Sequence, residues 1–562
     1  MNCARVLKLA AVLLLTVTAT AVAQTADIIL VNGNVITMDE RKPRAAAIAI
    51  QGEKILAVGA NEEIRRLGDS RTRVIDLRGK TVIPGLVDGH LHFVGLGSDP
   101  GSAVDLGDAK SEADVAALVQ RAAGRAKPGE WITGGDWHTG NWEREEWPKK
   151  ATLDQAAPNN PVLLSGMHGH ASWANSKALD MAGITRSTPD PPGGKILRDA
   201  QAGEPNGILI ENAQALVRNK IPESSREPLK ERIQKSVRLA LSYGFTGAHD
   251  IGTSLAAVDA YKELIEAGEF PFRINAIPRV WNAGPQLDEI LKRGVLAGFG
   301  NHRLTMRGVK LSIDGALGSR GAALMRPYSD ESHNIGVIRV PYDQIYFILE
   351  ECLKAGFNAA LHAIGDRGNQ MALDAVEEAL RVVPVKNHRI RIEHAQVVRP
   401  EDLPRFTQLG IIASFQWIHC TLDMPWAEKR VGAERLRAAY AWRTLANLGT
   451  RLLGGSDEGA RTFSPFMGIY AAVTRQDEKG WPAGGWYPEQ KLTRLEALKS
   501  YTLDAAFASF EEDVLGSITP GKYADLVVLS KDILGVPAPE ILQTQALLTM
   551  VGGKIVFERP AQ

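Results

Sequence analysis

Short apolar runs that end in polar residues recur through the central part of the chain. They predict buried strands at residues 82–88, 244–249, 272–277, 308–313, 358–362, 389–393, 411–415 and 451–455. Several alternate with helical patterns, as in residues 371–382, where apolar side chains recur at helical spacing. Strands that alternate with helices indicate a parallel sheet, and eight of them predict an α/β fold closed as a (β/α)8 barrel of the TIM type.

The two ends of the chain have a different pattern, in which short apolar stretches alternate with tight turns. One such turn is Asn32-Gly33, and another is Gly552-Gly553. Neither end holds enough strands for a stable sheet of its own. We therefore expect one small β-sandwich built from residues 24–80 and 511–562, beside a barrel domain at 81–510.

The eight strands can form one barrel only if residues from about 94 to 240 are an insertion after the first barrel strand. This insertion is rich in tryptophan, at positions Trp131, Trp137, Trp142, Trp147 and Trp173. In such barrels the active site lies among the loops that follow the strands. The tryptophans therefore indicate either a cover over a substrate site or the aromatic core of a subdomain.

The first residues are typical of a secretory signal peptide at positions 1–23. Arg5 and Lys8 precede an apolar run at 9–17, and an Ala-Val-Ala cleavage site ends at position 23. The apolar run is too short for a transmembrane anchor. We expect cleavage before Gln24 and a secreted or periplasmic protein that has no membrane attachment afterwards.

Charge and cysteine content exclude some classes of function. The sequence has 65 basic and 65 acidic residues, so its net charge is zero and nothing indicates a nucleic acid or a membrane surface as partner. Cys3 lies in the predicted leader, which leaves Cys352 and Cys420. They could pair, but two thiols make no disulfide framework, and we expect free, mostly buried thiols.

Metal-ligating side chains cluster at the predicted strand ends. His90 and His92 follow an apolar run one residue apart, so a strand would direct both imidazoles to one side. His362 and His394 end later strands, although either histidine alone could be a core residue. Asp457 follows the last strand, where it could bind a metal or begin the next helix as its N-cap.

The run Pro84-Gly85-Leu86-Val87-Asp88-Gly89-His90-Leu91-His92 resembles the first-strand signature of the amidohydrolase superfamily. Later motifs resemble its YtcJ-like branch, "amidohydrolase 3", which includes an N-substituted formamide deformylase. The resemblance covers nearly all of the chain after the first two dozen residues. It implies a metal-dependent hydrolase on a (β/α)8 barrel, with a sandwich formed by paired termini, and relatives of this kind are often homodimers.

The resemblance also implies a ligand set for two divalent ions, with zinc as the expected metal. His90, His92 and Asp457 would hold one ion, and His362 and His394 the other. Lys310 would bridge them, because a lysine that has reacted with CO2 becomes a carbamate with two metal-binding oxygens. The alternative is a lysine paired inside the barrel, for which Asp314 is the expected partner.

Other residues of the same branch are expected to contact substrate. His168 and His170 form either a second metal pair or contacts with substrate or with the insertion's own structure, with His170 first as the substrate contact. Arg320 holds either an anionic group of the substrate or an internal carboxylate. His419 follows the seventh strand, where it would bind substrate or stabilise an oxyanion.

These residues predict hydrolysis of a non-peptide carbon–nitrogen bond in a small molecule, such as an amide, N-acyl or N-formyl group. A metal ion makes hydroxide available near neutral pH, and Asp457 would act as base and then as acid. The sequence has no Gly-x-Ser-x-Gly elbow and no Walker loop. The alternatives are a deaminase or cyclic-amide hydrolase, an esterase or lactonase, and a barrel that has lost catalysis and only binds.

Overall fold

The computed structural model describes residues 25–97, 104–142, 146–166, 169–222, 228–457 and 463–560. The predicted signal peptide at 1–23 lies outside these ranges, so export and cleavage stay a prediction. Within the ranges, every helix is too short or too polar to span a bilayer.

The N-terminal segment is made of short strands with buried aliphatic side chains, joined by tight turns. Asn32 supports the first turn in the left-handed conformation, with φ 56°. The elements are β1 (Ile28–Val31), β2 (Asn34–Ile36), β3 (Arg44–Ala45), β4 (Ala47–Gln51), β5 (Lys54–Gly59), α1 (Asn61–Arg65), β6 (Arg73–Asp76) and β7 (Thr81–Pro84). Strands β5, β4, β1 and β6 form one sheet, while β7, β2 and β3 belong to another.

The strand predicted over residues 82–88 is two strands, which Gly85 separates. The first is β7, and the second is β8 (Leu86–Leu91), followed by α2 (Phe93–Leu96). A Cβ atom at Gly85 would lie 2.2 Å from Oγ1 of Thr246, so only glycine fits this close approach. The break lets β7 pair in the terminal sheet while β8 enters the central one.

A separate sheet occupies the region of the predicted insertion, in the order β13, β14, β12, β11, β10, β9. Trp137, Trp142 and Trp173 are buried in one of its apolar clusters, as expected for an aromatic core. Whether this region also covers a substrate stays a prediction. Its elements are β9 (Val104–Asp105), α3 (Glu112–Ala123), β10 (Ile132–Trp137), a 3₁₀ turn (Thr139–Asn141), α4 (Lys150–Ala156), β11 (Val162–Gly166), β12 (Ala171–Ala174), α5 (Ser176–Met181), β13 (Gly194–Arg198), β14 (Pro205–Glu211) and α6 (Gln214–Arg218).

Strands and helices alternate through the central region. Its elements are α7 (Leu229–Ser242), β15 (Phe245–Thr253), α8 (Leu255–Glu266), β16 (Arg273–Pro278), α9 (Pro285–Arg293), β17 (Leu296–Gly298), α10 (Phe299–His302), β18 (Leu304–Met306), β19 (Gly308–Ser312), α11 (Tyr342–Lys354), β20 (Asn358–Ala363), α12 (Asp366–Val382), β21 (Arg391–His394), α13 (Leu403–Gln408), β22 (Ile412–Gln416), α14 (Trp417–Asp423), α15 (Ala427–Leu436), α16 (Trp442–Asn447), β23 (Leu452–Gly455), α17 (Pro465–Thr474), a 3₁₀ turn (Pro488–Gln490), α18 (Arg494–Ser500) and α19 (Leu503–Ala508). A strand lies at each of the eight predicted positions, and the helix predicted at 371–382 is part of α12.

These central strands form two sheets, in the orders β17-β18-β16-β15-β8 and β19-β20-β21-β22-β23. All the pairings are parallel except that of β17 with β18. The backbone N–H of Val280 donates to the carbonyl of Lys310 (2.8 Å), and that of Asp457 to His90 (2.8 Å), so both borders between the sheets carry a hydrogen bond. Among the described residues, the ladders do not close into a ring. The α/β class is therefore confirmed, and the closed eight-stranded barrel stays a prediction.

The C-terminal strands return to the start of the chain. After β24 (Leu526–Leu529), α20 (Ala538–Ile541), β25 (Ala546–Val551) and β26 (Lys554–Glu558), the sheet order is β26-β25-β24-β7-β2-β3. One apolar cluster joins Leu30 of the N-terminal sheet to Leu526 and Met550. Both chain ends thus share a sheet and a core, while the division into a sandwich domain and a barrel domain stays a prediction.

Cys352 and Cys420 are both buried and free, as the sequence predicts. Burial raises the pKa of the Cys352 thiol to about 12 and that of Cys420 to about 11. Neither thiol is therefore a nucleophile at neutral pH.

Candidate metal centre

Two imidazoles converge on one carboxylate at the end of β8. His90 is buried, and its Nδ1 lies 2.5 Å from Oε2 of Glu393. His92 donates from Nδ1 to the carbonyl of Ile251 at 2.7 Å, because a carbonyl can only accept. Their Nε2 atoms lie 3.3 Å and 3.2 Å from the same atom, Oδ1 of Asp457.

Asp457 follows β23 and is held against β8. Its backbone is left-handed, with φ 55°, and its side chain is largely buried. Burial opposes ionisation of the carboxyl, but the close contacts with His90 and His92 outweigh it and hold the pKa of Asp457 well below its usual range. The side chain is therefore a carboxylate at neutral pH. The alternative of a helix N-cap concerns residues 458–462, which lie outside the described part of the chain.

A second group of donors shares Asp457. His394 Nδ1 lies 2.7 Å from Oε1 of Gln416 and 3.8 Å from Oδ2 of Asp457, and His419 Nε2 lies 4.0 Å from the same Oδ2. His362, expected to share a metal ion with His394, has its ring centre 4.5 Å from that of His394. His362 Nε2 instead lies 3.4 Å from the carbonyl of Gly315. Burial keeps the pKa of His362 and of His394 well below the ordinary value, so both imidazoles are neutral at neutral pH, the form that can bind a metal.

Lys310 lies in β19 and is only 2 % exposed. Burial lowers the pKa of its amine to about 7. The described residues contain no ion pair between Lys310 and Asp314, the alternative raised by the sequence. Asp314 instead accepts backbone hydrogen bonds from Ala323, Ile364 and Gly365, at 2.9, 3.0 and 2.8 Å.

A buried ionic network behind His90 was missed by the sequence analysis. Glu393 accepts from Arg391 through both of its carboxylate oxygens, with Nη2 at 3.0 Å from Oε2. Arg391 also contacts Nδ1 of His249 at 2.8 Å and Oγ of Ser414 at 3.0 Å. The signal was present, because an arginine and a glutamate in an apolar strand are rarely buried unless paired.

The predicted substrate contacts have different surroundings. His170 Nδ1 lies 2.9 Å from both oxygens of Glu211, and its ring centre is 5.1 Å from that of His362. Arg320 pairs with Asp330 at 2.9 Å, so an internal carboxylate holds it, as in one of the two alternatives. His419 belongs to the second donor group, and His168 lies outside the described residues.

These donors fit a divalent metal ion. Among the described residues, the buried Nε2 of His90 makes no hydrogen bond of regular geometry, although it lies 3.3 Å from Oδ1 of Asp457. Neutral imidazole nitrogen with carboxylate oxygen is a donor set that suits zinc and similar ions. A cavity of about 180 Å³ opens beside His92 and is lined also by Asp250 and Gly252, which leaves room for a small ligand.

The family model described as "Amidohydrolase family" matches residues 73–557. The chain belongs to this amidohydrolase family. This confirms the resemblance drawn from the first-strand signature, and it makes the protein a metal-dependent hydrolase of carbon–nitrogen bonds that acts on small molecules.

Several relatives match this amidohydrolase over nearly their full length. "Protein LONG AFTER FAR-RED 3" of Arabidopsis thaliana is 33 % identical, with 95 % of this chain and 92 % of that protein covered. "Putative amidohydrolase YtcJ" of Bacillus subtilis is 31 % identical, with 94 % and 98 % covered. "N-substituted formamide deformylase" of Arthrobacter pascens is 29 % identical, with 95 % and 99 % covered.

A crystal structure of an uncharacterized metal-dependent hydrolase from Pyrococcus furiosus is also similar to this amidohydrolase. Its TM-score is 0.68 at 30 % identity, and the match covers 90 % of this chain and 99 % of that one.

Proposed function

We propose that this amidohydrolase cleaves N-formyl or other N-acyl groups from small molecules, by addition of water to the carbonyl carbon. The observation that carries the proposal is the convergence of the Nε2 atoms of His90 and His92 on the carboxylate of Asp457. The formamide substrate is suggested by the deformylase relative, which the chain matches over nearly its full length.

The chain offers ligands for two zinc ions. His90, His92 and Asp457 would hold one, and His394 would hold the other together with His362 or His419. A zinc ion lowers the pKa of a water ligand and polarises a carbonyl oxygen. Glu393 and the carbonyl of Ile251 orient the two imidazoles of the first site. Each fixes the proton on Nδ1, so the lone pair of Nε2 is available to bind a metal ion.

Asp457 would be the proton carrier of the reaction. Its carboxylate is ionised at neutral pH, so it accepts the proton of the attacking water and later gives it to the leaving nitrogen. His170, fixed by Glu211 beside His362, would contact the substrate carbonyl.

Lys310 would carry the bridging carbamate. Carbamate forms when a neutral amine attacks CO2, and a pKa of about 7 leaves a large neutral fraction of Lys310 at neutral pH. The negative charges of Glu393 and Asp457 act on this buried amine and partly offset the effect of burial.

The test is the amount of metal per chain, measured by elemental analysis of mature protein purified without chelator and supplied with zinc and bicarbonate. We expect two equivalents, a lower value in Lys310→Ala, and an unchanged value in the exposed-lysine control Lys386→Ala. The same preparations are assayed on a panel of N-substituted formamides and amides, with formate, amine and ammonia measured separately.

Each other outcome contradicts a part of the proposal. One equivalent that is indifferent to Lys310 contradicts the bridged site, and release of ammonia without a carboxylate product would identify a deaminase. Protein that binds no zinc would contradict the hydrolytic mechanism itself.

The predicted location is tested separately. We infer that the chain is exported and cut before Gln24. Mass spectrometry of the secreted or periplasmic form should give the mass of a chain whose first residue is Gln24. A mature chain that retains residues 1–23 would contradict this.

A further inference from the structure

We propose that Arg279 binds an anionic group of the substrate, so that the preferred amides carry a carboxylate beside an apolar group. The inference rests on the proposed function for the reaction, but it concerns a part of the site that lies outside the expected metal ligands.

Arg279 is positioned at the same strand ends as those ligands. It directly follows β16 and forms a parallel bridge with Lys310, next to the hydrogen bond from Val280 N–H to the Lys310 carbonyl. A side chain that leaves the backbone here starts beside the lysine expected to bridge the two ions.

The guanidinium group of Arg279 packs on the backbone of Gly252. A Cβ atom at Gly252 would lie 2.6 Å from Nη2 and 3.0 Å from Nε of Arg279, so the glycine makes room for the cation. The preceding residue, Ile251, holds His92 through its carbonyl at 2.7 Å. Arg279 is thus one residue removed from the support of an expected metal ligand.

This guanidinium group has no carboxylate of its own among the described residues, which hold no hydrogen bond or ion pair of the Arg279 side chain. Other largely buried arginines differ. Arg339 pairs with Glu211 at 3.1 Å, Arg320 pairs with Asp330, and Arg391 pairs with Glu393. A largely desolvated cation without a carboxylate partner is costly, and an anionic ligand would lower that cost.

The charge around Arg279 favours an anion further. Burial, followed by the positive charges of Arg339 and Arg218, lowers the pKa of Arg279 to about 10. The carboxylates of Asp457 and Glu211 act in the opposite direction, and the group remains a cation at neutral pH. The positive charges of Arg339 and Arg218 favour a further anion beside it.

Trp281 supplies the apolar side of this subsite. Cζ of Arg279 lies 4.9 Å from the centre of the Trp281 ring, and Cζ of Arg339 lies 5.8 Å from it. The indole is 50 % exposed, which is unusual for so large an apolar side chain. A planar cation beside an exposed indole is suited to a carboxylate that is attached to an aromatic or aliphatic group.

The first test is binding to the zinc-loaded enzyme, measured by calorimetry with phenylacetate and its neutral counterpart phenylacetamide. We expect phenylacetate to bind at least ~10-fold more tightly, since hydrogen bonds between charged partners are stronger than those to a neutral amide. In Arg279→Gln the ratio of the affinity for phenylacetate to that for phenylacetamide should fall to near one. The control Arg293→Gln, in an exposed ion pair with Asp259, should keep it.

Two results would overturn the inference: equal binding of both probes to the parent enzyme, or a preference that survives in Arg279→Gln, which would mean that the metal or another group holds the carboxylate. If Arg279→Gln does not fold, Arg279→Lys provides the readout. It keeps the charge but loses the planar fork, so a several-fold weaker preference is expected and an unchanged one contradicts the inference.

A second measurement separates this inference from the proposed reaction. N-formylphenylalanine and N-formyl-2-phenylethylamine differ only in the carboxylate, and we expect a higher kcat/KM for the acid that depends on Arg279. Cleavage of both at equal rates contradicts the subsite and leaves the deformylase reaction intact. Cleavage of neither, with phenylacetate still preferred through Arg279, contradicts the reaction and leaves the subsite intact.

Discussion

His90 illustrates how strongly the expected metal site depends on side chains that would not touch an ion. Its Nδ1 meets Glu393, which in turn accepts from Arg391, and all three side chains are buried. Burial raises the free energy of a carboxylate, but Arg391 and His90 outweigh that effect and hold the pKa of Glu393 well below its usual range. A permanent carboxylate therefore fixes the tautomer and the orientation of His90.

Replacing Glu393 by glutamine should weaken metal binding. In Glu393→Gln the orienting charge is lost while the shape is kept, and we expect a loss of ~10–100-fold in zinc affinity, the usual effect of removing such a partner. Zinc affinity is measured by competition with a chromogenic chelator, next to the exposed control Glu401→Gln. Wild-type affinity in Glu393→Gln would show that His90 needs no such support.

At the residue scale, the sequence predicted the candidate ligands that directly follow a strand. It missed the residues that only hold those ligands in position. His90, His92 and Asp457 follow apolar runs and lie close together, while their role as metal ligands stays a prediction. Glu393 was not recognised, although it directly precedes His394, because a sequence does not reveal which side of a strand meets a histidine 303 residues away.

At the scale of elements, β8 and β23 approach so closely that glycine is required between them. A Cβ atom at Gly455 would lie 2.5 Å from the backbone nitrogen of His90, and one at Gly89 would lie 2.6 Å from the carbonyl of Gly454. This contact brings Asp457 to the two imidazoles, so the spacing of two strands sets the geometry of the expected site.

A methyl group at Gly455 should therefore separate these strands. For Gly455→Ala we expect a loss of ~1–3 kcal/mol in the free energy of unfolding, typical of overpacking, together with weaker zinc binding. Gly95→Ala is the matched control, because a Cβ atom at Gly95 would have no described atom within 4 Å. Urea unfolding measures both variants, and equal stability of the two would refute the role of the close approach.

All eight central strands could be predicted, because buried parallel strands are continuous apolar runs. Two features could not. The break at Gly85 depends on Thr246, which is remote in sequence, and β17 and β18 lack the long apolar run that marks the others. Local pattern indicates that a strand exists, but its partner depends on packing across the molecule.

At the scale of the whole molecule, one buried ion pair joins the central region to the C-terminal strands. Arg273 at the start of β16 contacts Asp525 just before β24, with Nη2 and Oδ1 2.8 Å apart. Asp525 also accepts from the backbone N–H of Gly552 at 2.8 Å. The carboxylate therefore links three separate parts of the chain.

Loss of this charge should destabilise the entire fold. In Asp525→Asn the buried guanidinium group of Arg273 loses its counter-ion, and breaking such a pair costs ~3–5 kcal/mol in the free energy of unfolding. Denaturant unfolding tests this against the exposed neighbour Asp513→Asn. A difference below ~1 kcal/mol between the variants, the range of surface pairs, would mean that the link carries little of the stability.

The sequence anticipated that the two ends of the chain would combine, because neither end has enough strands alone. The separate sheet at residues 104–211 was anticipated only as an insertion of unknown form. Its tryptophans allowed two interpretations, since an aromatic side chain in a sequence does not show whether it faces a core or a ligand.

The pairing of β7 with β24 has a consequence for the order in which the protein is made. Roughly 440 residues separate these neighbouring strands along the chain. At ~5–20 residues per second, ribosomal synthesis leaves β7 without this neighbour for about 20–90 s. During that interval the emerging polypeptide presents an open strand edge that other chains can join, so chaperones that shield such edges should matter most for this protein before its last strands are synthesised.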